Sequence, residues 1–392
     1  MLKKRLNNIK LISLFLGIML LLLGCQLASQ EGESVAESEE VSSEEVIDTS
    51  NENDSGSDYE VVDSVTIRSI GDVLVHDTVY YDADTGDGYS FDHMFDGVRP
   101  YLENADITTA NLEMITAGSV FGPSTYPTFN SPEEIVDALQ NAGVDIVNNA
   151  TNHSLDLGSD GAYASINALQ ERDMMYVGSY ESWDDYNTSR IIDVGNMSVG
   201  FLSYANEANG NYLPEDQEYL LSLIDLDLIP LEVEQLNTVV DVSVIMFHVG
   251  NEYDYLPNTW QLEVMQTARD AGANFILGGH PHVLQPFINY NESQAGMFSH
   301  GNFLTGQYEI DTKVGGITEY TFNKLGNGEV VLDSMRFMPT FNFGMPETPV
   351  YSVVPLADAD EYGLAQASEL YAELEQRMRY YTNKVEVVEY LD

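Results

Sequence analysis

Two imidazoles stand two residues apart in Gly278-Gly279-His280-Pro281-His282, directly after the short apolar run Asn274–Leu277. In an extended backbone, residues i and i+2 project to the same side, so both rings can reach one place. Neutral imidazole is the commonest metal ligand near neutral pH. The chain has only seven histidines, which makes this spacing informative. Four further strand-like segments end in residues that bind cations or move protons: Asp72, Glu113, Asn152 with His153, and His248. Carboxylates, an amide oxygen and imidazoles together suit divalent transition metals such as Mn, Fe or Zn. Too few carboxylates are present for a calcium site. One or two such ions are the usual device for activating water and clamping an ester. In that chemistry His153 is the candidate to protonate a leaving group or bind an anionic oxygen.

Donors so far apart in sequence converge only if a sheet brings their strands side by side. Short β-branched or apolar runs occur at Ser64–Ile70, Ile107–Ala110, Val144–Val147, Met175–Val177, Ile191–Val194, Ser198–Tyr204, Asp241–Phe247 and Asn274–Leu277. Three more follow at Met297–Ser299, Gly316–Phe322 and Val330–Phe337. Helical patterns lie between several of them, at about 159–171 and 259–271, and a further helix starts at Ser131-Pro132-Glu133-Glu134 with Ser131 as its cap. This alternation predicts an α/β layered fold. Sites in such sheets form beyond the carboxyl ends of the strands. Residues 346–392 read as a C-terminal helical extension, with the helix at about 360–381.

The first 63 residues differ in kind. Lys3, Lys4, Arg5 and Lys10 precede an apolar stretch of 13 residues, Leu11–Leu23. That is shorter than the roughly 20 residues of a membrane-spanning helix and reads as a signal peptide over 1–24. It closes on Leu22-Leu23-Gly24-Cys25, which resembles a bacterial lipobox. Cys25 is the only cysteine, so it is the expected lipid-bearing residue, and no intrachain disulfide can form. Residues 25–63 read as a disordered linker: Gln26–Asp63 holds 13 acidic residues and no basic ones. These features place the protein on the extracellular face of the cell membrane, lipid-anchored.

The formal charge is −49. Without the 13 acids of the linker and the four bases of the leader, 51 acids and 11 bases remain, a net −40. That argues against nucleic-acid binding, which needs a basic face.

The donor segments together resemble the CapA family of poly-γ-glutamate capsule synthesis, within the calcineurin-like metallophosphatase superfamily. The similarity runs from Thr66 to Leu304. It is carried by Gly71-Asp72-Val73, Asn111-Leu112-Glu113, Phe129-Asn130-Ser131-Pro132 and Ala150-Thr151-Asn152-His153-Ser154-Leu155-Asp156-Leu157-Gly158. It continues in His248-Val249-Gly250-Asn251-Glu252-Tyr253, Gly278-Gly279-His280-Pro281-His282 and Gly301-Asn302-Phe303-Leu304. The resemblance implies a layered β-sheet sandwich flanked by helices, over residues 64–345. It implies that Asp72 and His282 hold one ion, that Asn152, His248 and His280 hold the other, that Glu113 bridges them, and that His153 faces the substrate. The implied partners are an anionic polymer such as poly-γ-glutamate and a membrane-bound polymer synthetase. Three positions depart from the superfamily pattern. Leu74 stands where Asp-x-His has its histidine, Glu113 where the bridge is usually Asp, and Thr151 in place of Asn. The first ion therefore loses an expected ligand. His76 could supply another imidazole, and His300 reads as a surface change.

Overall fold

A computed structural model describes residues 59–345 and 348–392; the leader, Cys25 and nearly all of the acidic linker lie outside the described residues. Strands β1 (Val61–Leu74), β2 (Ile107–Leu112), β3 (Ile146–Asn148) and β4 (Met175–Val177) run parallel, side by side. Strands β5 (Arg190–Val194), β6 (Met197–Ala205), β7 (Val242–His248), β8 (Phe275–Gly279), β9 (Leu284–Asn289) and β10 (Ala295–His300) make a second sheet. Its order is β5-β6-β7-β8-β10-β9, with β6, β7, β8 and β10 parallel. After β11 (Asn302–Thr305), which pairs parallel with the end of β1, come β12 (Val314–Leu325), β13 (Val330–Met345), β14 (Thr348–Pro355) and β15 (Val385–Val387). β12, β13 and β14 extend the first sheet as an antiparallel meander, to give the order β14-β13-β12-β1-β2-β3-β4.

The two sheets face each other. Phe275 on β8 stacks on Tyr320 of β12, with centroids 3.9 Å apart and planes 3° from parallel. Strand β7 is apolar apart from Ser243 and its terminal His248. Val242, Val244 and Met246 point into the main core, while Ile245 and Phe247 point outward, under the helices Ile229–Leu236 and Thr259–Asp270. A strand covered on both faces reads as a near-continuous apolar run, and its interior Ser243 is buried with its hydroxyl donating to Asn274 Oδ1. The second of those helices opens with a capping box, in which Asn258 Oδ1 accepts from Gln261 N–H and Gln261 Oε1 accepts from Asn258 N–H. The expected α/β layered sandwich with flanking helices is therefore present.

Several expectations are corrected. The linker reading ran to Asp63, but the ladder starts at Val61, and Asp63 accepts from the Asn196 backbone N–H at 2.8 Å. Residues 346–392 are not merely a helical extension. β14 and β15 both pair with β13 in the first sheet, and the helix is shorter, Ala367–Met378. Tyr59–Asp392 is one compact unit. Ser131 does not cap a helix. Its hydroxyl donates to the Pro132 carbonyl, and the helix starts later, at Glu134–Asn141. β9, β11, β14 and β15 had no sequence signal strong enough to name them, being short or interrupted by polar residues.

Candidate metal centre

The carboxyl ends of β1, β2, β3, β7 and β8 meet at one edge of the sandwich. β1 delivers Asp72, β2 leads into Asn111 and Glu113, β3 into Asn152 and His153, β7 ends at His248, and β8 leads into His280 and His282. All of them are buried or nearly so. Close approach of backbone makes this possible. A Cβ at Gly279 would lie 2.9 Å from Asp72 Oδ1 and 3.4 Å from His248 Nδ1, so only glycine leaves room for the cluster.

His280 and His282 are not in extended backbone. β8 stops at Gly279, and both residues have positive φ, 95° and 60°. Such values are costly for residues with a Cβ and concentrate at functional sites. The i, i+2 argument for a shared direction thus does not apply. The ring centroids lie 6.1 Å apart.

The potential ligand atoms fall into two groups that share Glu113. Glu113, His248 and His280 form one; Asp72, Glu113 and His282 form the other, and within each the donor atoms all lie within 4.8 Å of one another. Glu113 Oε1 is 3.2 Å from His248 Nε2, and Glu113 Oε2 is 3.8 Å from His282 Nδ1. Asn152 adds its amide oxygen, 2.9 Å from His248 Nε2. His282 Nδ1 is 3.4 Å from Asp72 Oδ2 and 3.0 Å from Asn302 Oδ1.

The residues fit a divalent cation. Asp72 Oδ2, both Glu113 oxygens and His280 Nδ1 are buried without a hydrogen-bond partner, an arrangement that is expensive unless something positive binds them. Burial, followed by the neighbouring Asp72 charge, pushes Glu113 well above the usual carboxylate range. Burial also opposes ionisation of Asp72, but His282, with Nδ1 3.4 Å from Oδ2, and the nearby His248 bring it down to about 2. His248 and His280 are held neutral by burial, at about 3. Burial disfavours the charged form of His282 too, yet Glu113 and Asp72 together raise it to about 9.

Leu74 is buried and apolar, so it leaves the Asp72 group with a single imidazole. His76 does not substitute for it. Its Nδ1 accepts from the Gly306 N–H at 3.2 Å, its ring packs edge-on against Phe129, and it belongs to neither donor group. His300 is not a surface residue. It is 3% exposed and sits in β10 beneath the site, with Nδ1 3.2 Å from the Gly278 carbonyl. Polar positions inside a strand carry no sequence mark of which face they take.

Some neighbours of the ligands were not singled out in the sequence. Asn111 Nδ2 donates to Asp72 Oδ1 at 2.6 Å, and Asn148 Nδ2 donates to Asn111 Oδ1 at 2.6 Å. This chain of amides fixes Asp72 from below. Asp156 Oδ2 lies 2.7 Å from His153 Nδ1 and accepts the Phe129 N–H at 2.7 Å. Asn209 joins the two sides, with Nδ2 3.1 Å from His153 Nδ1 and Oδ1 accepting from Asn152 Nδ2. Asp156 was legible as a carboxylate three residues after His153; Asn209 had no local signal.

Residues 66–307 match the family model described as bacterial capsule synthesis protein PGA_cap. The chain is 29% identical over 279 residues to capsule biosynthesis protein CapA of Bacillus anthracis, covering 69% of this chain and 66% of that one. It is 27% identical over 257 residues to the PGA biosynthesis protein CapA of Bacillus subtilis, covering 60% and 63%. The matches thus span a little under two thirds of each relative. Among solved structures, Haemophilus influenzae NAD nucleotidase overlaps at a TM-score of 0.48, 10% identity, 84% of this chain and 65% of that one. A 5'-nucleotidase described as putative, from Staphylococcus aureus, overlaps at 0.44, 13% identity, 75% and 54%. Overlaps this loose add nothing to the two sheets and the donor groups themselves. The family match covers well over half of the sequence and includes every donor of the cluster: this chain belongs to the bacterial capsule synthesis protein family.

Proposed function

We propose that this protein is a metal-dependent hydrolase of the cell surface that serves the synthesis or export of a poly-γ-glutamate type of capsule. The observation that carries the hydrolytic reading is the convergence of Asp72 Oδ2, both oxygens of Glu113 and His280 Nδ1, all buried and unpartnered. Asp72, Glu113 and His282 would hold one ion, and Glu113, Asn152, His248 and His280 the other. Divalent ions held there supply a Lewis acid and a water nucleophile near neutral pH. The identity is Mn, Fe or Zn by donor chemistry.

The chain's own residues do the rest. His153 gives its Nδ1 to Asp156, which fixes the ring and leaves Nε2 to pass a proton to the leaving group. Phe129 packs edge-on against the His153 ring, with centroids 4.7 Å apart, and limits its motion. Asn209 lies against both, with Nδ2 3.1 Å from His153 Nδ1 and Oδ1 accepting from Asn152 Nδ2. Low exposure around the cluster strengthens each charge interaction.

Elemental analysis of the purified protein, with the double variant His280→Ala/His282→Ala beside it, tests the ion. Equal metal in both would sink the site. Assay on a phosphodiester, a phosphomonoester and poly-γ-glutamate tests hydrolysis. A second reading is a non-catalytic accessory subunit that binds or hands on the polymer. Leu74 favours it, because the group around Asp72 keeps a single imidazole. Metal binding without turnover on any of the three substrates would select this reading.

Cys25 would carry the lipid that holds the protein at the outer face of the membrane, near a membrane-bound polymer synthetase. Among the described residues, no helix is long and apolar enough to cross a membrane. Labelling with a tagged fatty acid should mark the wild type and not Cys25→Ala; equal labelling would remove the anchor.

A further inference from the structure

Beside the donor cluster lies a cavity of about 390 Å³, within the size range of small-molecule sites, about 300–1,000 Å³. Tyr253, Tyr255 and Tyr308 line it, with Gln307, Glu309 and Asp311. The three rings are 51%, 43% and 67% exposed, whereas Tyr204, Tyr320 and Tyr351 are almost fully buried. Three partly exposed aromatic rings around one hollow are specific in a way that scattered surface tyrosines are not.

The cavity shares a wall with the cluster. Gln307 Oε1 accepts from Asn302 Nδ2 at 3.0 Å, and the other end of that amide lies 3.0 Å from His282 Nδ1. The Tyr253 ring centroid is 6.0 Å from that of His282. Tyr253 itself has φ of 67°, with its N–H donating to the Pro281 carbonyl at 2.8 Å. A non-glycine residue kept in this conformation holds its ring at the shared wall.

The charge of the lining restricts the occupant. Two carboxylates and no cation line the hollow. Tyr255 donates its hydroxyl to Asp311 at 2.8 Å, and the Arg377 guanidinium over the Tyr255 ring is itself paired with Glu373 at 2.7 Å. A polyanion is therefore disfavoured. Acidity is general on a chain of net charge −49, so the carboxylates alone do not call for a cation. Flat aromatic faces bordered by carboxylate and amide acceptors fit a sugar ring. Its C–H face lies on the tyrosines, and its hydroxyls donate to Glu309 and Gln307.

We propose that this cavity is a subsite for a neutral pyranose ring, and that it orients the glycosyl part of a substrate whose ester is presented to the donor cluster. The orienting role rests on the hydrolytic reading above; sugar binding does not.

Saturation-transfer NMR on the full chain tests the binding, with methyl β-glucopyranoside and N-acetylglucosamine as probes. Tetramethylammonium and γ-glutamyl-glutamate serve as competitors. The expected result is transfer to pyranose C–H protons at millimolar sugar. Affinity should fall about tenfold in Tyr308→Ala, a loss of one stacking contact, and stay within about twofold in Tyr308→Phe. Circular dichroism and metal content report whether each variant is folded; Tyr253→Ala gives an independent second position. The proposal is overturned if neither sugar binds, if tetramethylammonium or the dipeptide displaces it from the tyrosines, or if both alanine variants bind sugar as wild type does. Sugar binding without hydrolysis of any ester would defeat the hydrolase reading and keep the subsite. Hydrolysis without sugar binding would do the reverse.

Discussion

Asp156 Oδ2 sits 2.7 Å from Nδ1 of His153, and both side chains are under one tenth exposed. A carboxylate behind a buried imidazole fixes its tautomer and its direction. Asp156→Asn should therefore lower turnover of a phosphodiester by about 10- to 100-fold while leaving bound metal unchanged. Unchanged rates would reduce Asp156 to a support for the Phe129 backbone.

Glu113 belongs to both donor groups, whereas Asp72 and His280 belong to one each. Glu113→Gln should weaken uptake of both ions, by at least about tenfold. Asp72→Asn should cost one ion and spare the other. Titration of the chelated protein with Zn or Mn, read by elemental analysis, separates these outcomes. Equal losses in the two variants would mean that Glu113 is not shared.

Burial holds His76, His248, His280 and His300 neutral, at about 4, 3, 3 and 4. In the unfolded chain they take protons near pH 6.5. The unfolded state then binds more protons than the folded one, so stability rises with pH across that window. The metal-free protein should lose stability as pH falls from about 6.5 towards 4. His282 has the opposite sign. Its pKa is raised to about 9, so its contribution is whole below its unfolded value and disappears as pH rises through 9. Urea unfolding in chelator should show a maximum near neutral pH. A flat profile from pH 4 to 7 would contradict the burial of these rings.

Arg68 is 2% exposed, and its Nε donates to Glu319 at 2.8 Å; Glu319 also pairs with Arg336 at 3.2 Å. Arg68→Met removes one cation and leaves a buried carboxylate half-neutralised. The expected loss is about 3 kcal/mol in urea unfolding, the scale of breaking a buried pair. A change below about 1 kcal/mol, the range of exposed pairs, would show that Arg336 is sufficient.

Phe275 and Tyr320 join the two sheets face to face. Phe275→Ala should cost about 3–5 kcal/mol, the range for deleting a buried phenylalanine. Thermal unfolding of the metal-free protein measures it.

Much of the sheet was legible because its strands are separate apolar runs. Met175–Val177 and the start of β13 at Val330 agree with the structure to the residue, and β7 and β8 differ by one or two. The helix expected at about 259–271 is present as Thr259–Asp270, and the structure adds its Asn258 cap. Ser131 misled because Ser-Pro-Glu-Glu is a local signal, and here the tertiary contact of Glu133 with the Ser119 N–H at 2.9 Å wins. The C-terminal strands were obscured because the segment around them is acidic and polar. Their pairing with β13 comes from neighbours, not from their own periodicity.

The donor inventory follows from the sequence alone. Asp72, Glu113, Asn152, His153, His248, His280 and His282 each stand just past a strand, or at its end. A parallel sheet carries such positions to one edge, whatever the details of packing. The acidic balance and the family motifs are also properties of the chain as written. Only the tertiary structure decided which donors share a neighbour. Glu113 falls between two groups of imidazoles, Asp156 backs His153, His300 turns inward, and His76 is taken up by the Gly306 N–H. Those outcomes depend on strand order, on the two sheets facing each other, and on the left-handed turns at His280 and His282. Local periodicity encodes little of this, because all but the Asp156–His153 contact and the turns themselves are set between residues tens to hundreds of positions apart.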